Sequence, residues 1–224
     1  MTNPILGYWD IRGLVQPSRL VFEYSGAQYE DRRILMSQPD WLAHKTTLGF
    51  DFPNLPFYED EDVKITQSLA ILKHLGRKFG LDGSTVRAKA EVDMVLDEAA
   101  DVRNPMGALC YRSDFSPALM KEWVEGSGEG MKSVEDRFLP LQCKLGSNDW
   151  FVNNELTIAD FMIWETLDAY SLLFPGCLTK LTGLTSFHSR FTHLKGVKEY
   201  LESDRYKAYP IWSVRAKHGF VELK

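Results

Sequence analysis

Residues 5–26 read ILGYWDIRGLVQPSRLVFEYSG, and this stretch decides the fold. Ile5–Trp9 is an apolar run of the length of a strand. Pro17 stands where a helix can begin, and the apolar spacing that follows it stops at Gly26. The sequence therefore predicts a strand that leads directly into a helix.

The next part of the chain continues to alternate strands and helices. Tyr29–Leu35 is predicted as a second strand, and Asp40 can cap a short helix after it. Two short apolar runs on either side of an acidic turn predict a hairpin within Leu55–Thr66. A further helix opens at Ser68, and its apolar face runs to Gly80. The predicted order is βαβαββα.

Helical periodicity takes over beyond the break at Asp82–Thr85. Apolar residues recur every three or four positions over Val92–Leu109, which predicts one long helix that Pro105 should kink or split. A second helix is predicted over Pro117–Leu145, weakened by glycines in its middle.

Thr157 and Asp160 fit a capping box ahead of an apolar helix that ends before Pro175. Two shorter helices are predicted around 186–194 and 197–203. The fold class is therefore α+β, with an α/β domain over residues 1–82 and an all-α domain over residues 88–224.

Composition and charge exclude several classes of function. The 224 residues carry 26 basic and 31 acidic side chains, and this net charge of −5 argues against nucleic acid or an anionic membrane as the main partner. No uncharged run approaches the roughly 18 apolar residues of a membrane-spanning helix. No secretory signal is visible at the start of the chain, so we expect a cytoplasmic protein. The three cysteines are far apart and odd in number, which predicts neither a disulfide framework nor a metal site.

Motifs along nearly the whole chain resemble those of the cytosolic glutathione transferases. They are Ile5–Trp9, Arg12–Leu14, Leu48–Pro56, Ile65–Ser68 and Thr157–Phe161. Together they are similar to the mu class, whereas His74–Arg77, Leu81–Gly83 and Val92–Val95 look more like the pi class. The resemblance implies a thioredoxin-like first domain and a helical second domain. It also implies a detoxifying enzyme that adds glutathione, a cosubstrate, to hydrophobic electrophiles without a cofactor.

Such a reaction needs the thiolate of glutathione, because the thiol is a poor nucleophile. Lowering a thiol pKa by about 2 units corresponds to about 2.7 kcal/mol. One hydrogen bond to a charged group contributes about 1.5–3 kcal/mol, so a single neutral donor nearly suffices. The resemblance assigns that catalytic role to Tyr8, whose phenol stays protonated near neutral pH. The alternative is that Tyr8 is one more core aromatic residue on a strand.

The resemblance also implies how the tripeptide is held. Amide groups at a helix start bind carboxylates, so Gln67 and Ser68 would take the γ-glutamyl carboxylate, although an ordinary N-cap would look the same. A cis Leu55–Pro56 bond would present the Leu55 backbone to the cysteinyl unit. Trp41 and Lys45, one helical turn apart, would hold the glycine carboxylate. The implied set is Tyr8, Trp9, Leu14, Trp41, Lys45, Asn54, Leu55, Pro56, Gln67 and Ser68, with Asp101 supplied by a partner subunit.

The second substrate needs an apolar wall beside the sulfur. The resemblance places Ile11, Leu14, Tyr111 and Trp212 there, and the Tyr111 hydroxyl could donate to a leaving group. Each of these side chains could equally belong to the core or the surface.

A row of like charges, Asp93, Asp97 and Asp101, repeats every four residues on the predicted long helix. By itself such a row destabilises a helix, and its simplest interpretation is a solvated acidic face. Lys73 and Arg77 form a matching basic row on the preceding helix, and the resemblance implies that the two rows meet across a homodimer interface. The residues expected at that interface are Phe52, Lys73, Arg77, Asp93 and Asp97.

Two other functions remain open at this point. A thiol-disulfide oxidoreductase shares the fold but needs a reactive cysteine near the first helix, where this chain has Tyr8 and Ser18. A non-catalytic ligand-binding or structural relative is the other alternative, because a fold does not guarantee its chemistry.

Overall fold

The computed structural model describes residues 3–36, 41, 45–127 and 130–221. Its sheet has four strands, in the order β2-β1-β3-β4. The strands are β1 (Ile5–Trp9), β2 (Glu30–Ile34), β3 (Phe57–Glu59) and β4 (Lys64–Thr66). β1 pairs in parallel with β2, with Tyr8 opposite Arg33, and β3 runs antiparallel to β1 and β4. This mixed sheet is the thioredoxin-like arrangement predicted from the sequence.

Among the described residues, two helices accompany the sheet, and six more follow along the chain. They are α1 (Gln16–Ser25), α2 (Ser68–Phe79), α3 (Val86–Cys110), α4 (Pro117–Glu125), α5 (Val134–Leu145), α6 (Ile158–Leu173), α7 (Thr182–Thr192) and α8 (Val197–Leu201). Short 3-10 turns lie at Gly13–Val15 and Lys45–Thr47. The predicted cap Asp40 lies outside the described residues, whereas Trp41 is described as helical.

The prediction of a single helix over Pro117–Leu145 is wrong. α4 ends at Glu125 because Gly126 takes a positive φ of 80°, a conformation that glycine adopts without steric cost. Ser133 then opens α5 with a capping box, in which Ser133 and Asp136 bond reciprocally. The glycines therefore separate two helices.

Pro105 does not split the long helix, which runs without interruption from Val86 to Cys110. Met106 and Leu109 follow Pro105 in the same helix and are buried in the core. Their packing offsets the backbone hydrogen bond that Pro105 cannot donate. α7 begins at Thr182, four residues before the predicted start, and α8 ends at Leu201 instead of residue 203.

Helix α6 forms the centre of the helical part, and nearly every residue in it is buried. The predicted capping box is confirmed at its start. The Thr157 N–H donates to Asp160 Oδ2 over 2.8 Å, and the Phe151 N–H donates to Asp160 Oδ1 over 3.1 Å. A helix that is apolar all round must be enclosed, and α1, α3 and α7 pack against it.

The sheet side joins the helical part through a close contact between helices. A Cβ at Gly76 of α2 would lie 2.8 Å from Cδ1 of Ile158, the first residue of α6. Glycine therefore lets the two helices approach each other and fixes the sheet relative to α6. In the part of the chain that the structure describes, none of the helices has both the length and the apolar character needed to cross a bilayer.

Candidate active site

Tyr8 lies near the end of β1 and is only 6% exposed. Its phenol oxygen accepts a hydrogen bond from the Leu14 N–H, with Oη and N 3.3 Å apart. Gly13 has a positive φ of 47° and lies against the Tyr8 ring, where a Cβ would come within 2.5 Å of Cε1. The turn after β1 is therefore shaped around the Tyr8 side chain, and Gly13 is the residue that permits it.

Burial raises the pKa of Tyr8 above its ordinary value, while the Leu14 N–H and the charge of Arg103 act in the opposite direction. The phenol therefore stays protonated at neutral pH. Because Oη accepts from Leu14, its own O–H remains available as a donor toward a neighbouring anion.

Three buried arginines hold the turn that follows Tyr8. Arg12 forms ion pairs with Glu165 (2.7 Å) and Asp168 (2.6 Å) of α6. Arg19 Nη1 donates to the Ile11 carbonyl over 2.9 Å, and Arg103 Nη2 donates to the Gly13 carbonyl over 2.6 Å. None of these three side chains was predicted to have a role. Long charged side chains are mostly exposed in proteins, so the sequence gives no reason to predict that these arginines are buried.

Residues 210–213, called the C-terminal segment below, also contact this turn through their backbone. The Arg12 N–H donates to the Pro210 carbonyl over 2.8 Å, and the Gly13 N–H donates to the Ile211 carbonyl over 3.0 Å. This pairing brings Trp212 next to the turn.

The four residues predicted to line the apolar site differ in exposure. Leu14 and Tyr111 are 41% and 42% exposed, whereas Ile11 and Trp212 are buried. The Tyr111 and Trp212 rings meet edge to face, with centroids 6.3 Å apart. Tyr111 Oη lies 3.0 Å from Ser213 Oγ and also accepts from the Ser213 N–H. The hydroxyl predicted to reach a leaving group is thus already engaged with the C-terminal segment.

Gln67 and Ser68 stand at the junction of β4 and α2, as predicted. Gln67 has a positive φ of 74°, which is uncommon for a residue other than glycine and often marks a functional position. Both residues line a cavity of about 220 Å³. Leu72 lines it from the same helix as Ser68, and Leu14, Arg103 and Asn104 line it from other elements. The start of α2 therefore opens into a space bordered by the Tyr8 turn and by α3.

The remaining predicted glutathione contacts are the last residue of β1 and five residues between β2 and β3. The Leu55–Pro56 bond is cis, as predicted. Asn54 Oδ1 accepts from the Leu55 N–H over 2.9 Å. Trp41 lies edge-on to Trp9, with ring centroids 6.2 Å apart. Lys45 is half-buried in the neighbouring 3-10 turn.

The residues predicted at a dimer interface lie on the surface of the single chain. Phe52 is 72% exposed, and Asp97 and Asp101 are exposed on α3. Lys73 Nζ, however, lies 3.0 Å from Asp93 Oδ1 of the same chain. The two side chains can pair within the chain because α2 and the start of α3 border one cleft.

Comparison with known proteins supplies the family. The profile described as "Glutathione S-transferase, N-terminal domain" matches residues 4–77, and "Glutathione S-transferase, C-terminal domain" matches residues 100–204. Glutathione S-transferase Mu 2 of Rattus norvegicus is 40% identical over 217 residues, which cover 94% of this chain and 96% of that protein. Glutathione S-transferase Mu 4 of Mus musculus is 39% identical over 220 residues, covering 96% and 97%.

Comparison with a solved structure indicates the same family. The structure of the glutathione S-transferase Blo t 8 superposes with a TM-score of 0.79 at 29% identity, over 96% of this chain and 99% of that one. The two profiles follow one another in the order of the sheet and the helices described above, and the similarity to mu-class proteins extends over almost the full length. The chain therefore belongs to the glutathione S-transferase family and is mu-class-like.

Proposed function

We propose that this protein conjugates glutathione to hydrophobic electrophiles and so serves in detoxification. The thiol of glutathione gives its proton to solvent, and the resulting thiolate forms a bond to the electrophilic carbon. That carbon's bond to a leaving group or to a ring oxygen breaks as the new bond forms. The observation that supports this proposal best is the Tyr8 phenol, which is buried, kept protonated and fixed by the Leu14 N–H. It leaves one O–H to donate to a thiolate.

Glutathione would lie across the end of the sheet at which β1 terminates, beside Tyr8. The amide groups at the start of α2, with the Ser68 hydroxyl, would bind the γ-glutamyl carboxylate. The Leu55 N–H is bonded to Asn54 Oδ1, so pairing with the cysteinyl unit would exchange this bond for one to the tripeptide. Trp41 and Lys45 would hold the glycine carboxylate.

The electrophile would contact the two exposed side chains, Leu14 and Tyr111. Ile11 and Trp212, which are buried, would support that surface from below. The apolar site proposed here is therefore formed jointly by the turn after β1, the end of α3 and the C-terminal segment.

We further propose that the active form is a cytoplasmic homodimer. Phe52, a large apolar side chain that is 72% exposed, would insert into the partner. Arg77 and Asp97 would pair between subunits, and Asp101 would reach the ammonium group of glutathione in the partner's site. The division into a glutathione-binding domain, 1–82, and a helical domain, 88–224, belongs to the same proposal.

The decisive experiment compares the wild-type protein with Tyr8→Phe. Addition of glutathione to a chlorinated nitroaromatic would be followed, and the thiol of bound glutathione would be titrated by its thiolate absorbance. Tyr8→Phe should slow the reaction at neutral pH and raise the pKa of the bound thiol. Equal rates and equal thiol pKa values would disprove the role of Tyr8, and the absence of any turnover by the wild type would favour a non-catalytic ligand-binding relative.

A further inference from the structure

We infer that Arg103 acts on the glutathione thiol through a single peptide group, as a positioning residue for the Tyr8 donor. This inference rests on the function proposed for Tyr8. The peptide group is the one between Gly13 and Leu14. Its carbonyl oxygen accepts from Arg103 Nη2 over 2.6 Å, and its N–H donates to Tyr8 Oη over 3.3 Å.

The planarity of the amide makes these two bonds interdependent, because the C=O and the N–H of a trans peptide point in opposite directions. Fixing the carbonyl on Arg103 therefore fixes the direction of the N–H toward Tyr8. A cation on the oxygen also polarises the amide, so that its N–H becomes a stronger donor. A phenol oxygen that accepts a stronger bond in turn donates more strongly through its own O–H.

The surroundings of Arg103 favour such a transmission. The side chain is almost completely buried, so its charge is weakly screened by solvent. Glu165 Oε1 lies 3.5 Å from Arg103 Nη2, and the guanidinium carbon lies 5.2 Å from the centre of the Trp212 ring. The guanidinium is thus held in place between α6 and the C-terminal segment while one of its N–H groups is directed at Gly13.

A simpler role for Arg103 would be an ion pair with Glu165 that only joins α3 to α6. The two roles predict different results for the bound thiol. An ion pair alone affects the stability of the fold, whereas the peptide relay also affects the pKa of the glutathione thiol, and only while the Tyr8 hydroxyl is present.

The test is a double-mutant cycle on the full-length protein, with the thiol pKa of bound glutathione as the readout. Arg103→Met should raise this pKa by about half a unit, since polarisation strengthens a hydrogen bond by roughly 10–30%. The rate constant kcat at a pH below the thiol pKa should fall about threefold, a tenfold change corresponding to one pKa unit. The KM for glutathione should change little. In the Tyr8→Phe background the same substitution should leave the thiol pKa unchanged.

A matched control is Arg137→Met. Arg137 lies over the Trp123 ring, 3.8 Å from its centre, and thus also joins two helices through a guanidinium. Its loss should leave the thiol pKa at the wild-type value. Arg103→Lys keeps the positive charge, so it should raise the pKa less than Arg103→Met, and it provides the same readout if the methionine variant fails to fold.

The outcomes separate this inference from the proposed function. If Tyr8→Phe changed the pKa of the bound thiol and Arg103→Met did not, the relay would be overturned and the role of Tyr8 would remain intact. An equal Arg103→Met shift in both backgrounds would show that Arg103 acts directly on the sulfur, which also overturns the relay. An Arg103→Lys shift as large as that of Arg103→Met would count against it as well. An unchanged thiol pKa in Tyr8→Phe itself would refute the role proposed for Tyr8, and with it the relay, whereas the absence of turnover by the wild type would refute the proposed function.

Discussion

Gly13 lies so close to Tyr8 that a methyl group at its Cα would be 2.5 Å from Cε1 and 2.8 Å from Oη of the phenol. The turn after β1 and the aromatic ring therefore form one packed unit. The position of the phenol oxygen depends on a residue that has no side chain of its own.

Gly13→Ala should strongly reduce glutathione transfer, because the new methyl group must displace the Tyr8 ring. We expect a loss of at least about tenfold in kcat/KM, together with a stability loss of about 1–2 kcal/mol from the positive φ of 47°. Gly26→Ala is the matched control. Gly26 has a φ of 67°, and no described atom lies within 4 Å of its Cβ position. The Gly26→Ala variant should lose similar stability but keep its activity. An equal loss of activity in both variants would contradict this interpretation.

Asp160→Ala should destabilise the protein by more than about 2 kcal/mol, the upper end for an ordinary helix cap. Asp160 is fully buried and accepts from the N–H groups of Thr157 and Phe151, which the substitution leaves unsatisfied. Asp136→Ala removes the equivalent residue from the exposed capping box of α5 and should cost less than about 1 kcal/mol. Urea unfolding of the two variants measures the difference. Equal losses of unfolding free energy in the two variants would show that burial does not increase the stabilisation by the cap.

The ion pair between Arg12 and Asp168 should make stability fall in acid. Burial alone would raise the pKa of Asp168, but Arg12 and His188 outweigh it and lower the pKa to about 2. A carboxylate with a depressed pKa stabilises the fold above its unfolded pKa of about 3.9, and that contribution is lost as the pH falls toward 2. Wild type should therefore lose about 2 kcal/mol between pH 4 and pH 2 through this group alone.

Asp168→Asn should flatten this acid dependence and lower stability at pH 7, because Arg12 loses one of its two carboxylates. Asp149→Asn, which alters an exposed carboxylate beside Arg190, should keep the wild-type acid dependence. Denaturant midpoints measured from pH 2 to pH 7 provide the comparison. Unchanged acid dependence in Asp168→Asn would exclude this ion pair as its source.

Phe52→Ser should weaken the proposed homodimer. The wild-type protein is expected to sediment at twice the chain mass of 25.7 kDa, and the variant should shift toward the single-chain mass at micromolar concentration. Leu139→Ser, at an exposed apolar position on α5, serves as a control that should remain dimeric. A wild-type species of 25.7 kDa would refute the dimer itself.

Local patterns in the sequence were sufficient to predict most of the fold. The apolar run at Ile5–Trp9, the stop at Gly26 and the capping residues Thr157 and Asp160 each act over a few neighbouring positions, and all of them appear in the structure as predicted. The prediction over Pro117–Leu145 was wrong because helical spacing on both sides of Gly126 masked the break between two helices.

The scaffold of the candidate site could not be predicted in the same way. Arg12, Arg19 and Arg103 bind partners that are distant in the chain or backbone carbonyls. Neither kind of contact produces a periodic pattern in the sequence. The pairing of Lys73 with Asp93 of its own chain likewise depends on how α2 and α3 lie side by side.

The backbone bonds from Arg12 and Gly13 to Pro210 and Ile211 join two segments that the ribosome makes about 200 residues apart. Tyr8 is synthesised well before these residues, so the turn that orients it is completed only after Pro210 and Ile211 have been made. A nascent or prematurely terminated chain would carry the phenol without its support. Catalytic competence would then be acquired only after residue 211 has been made, and we expect chains that stop before it to bind glutathione less productively.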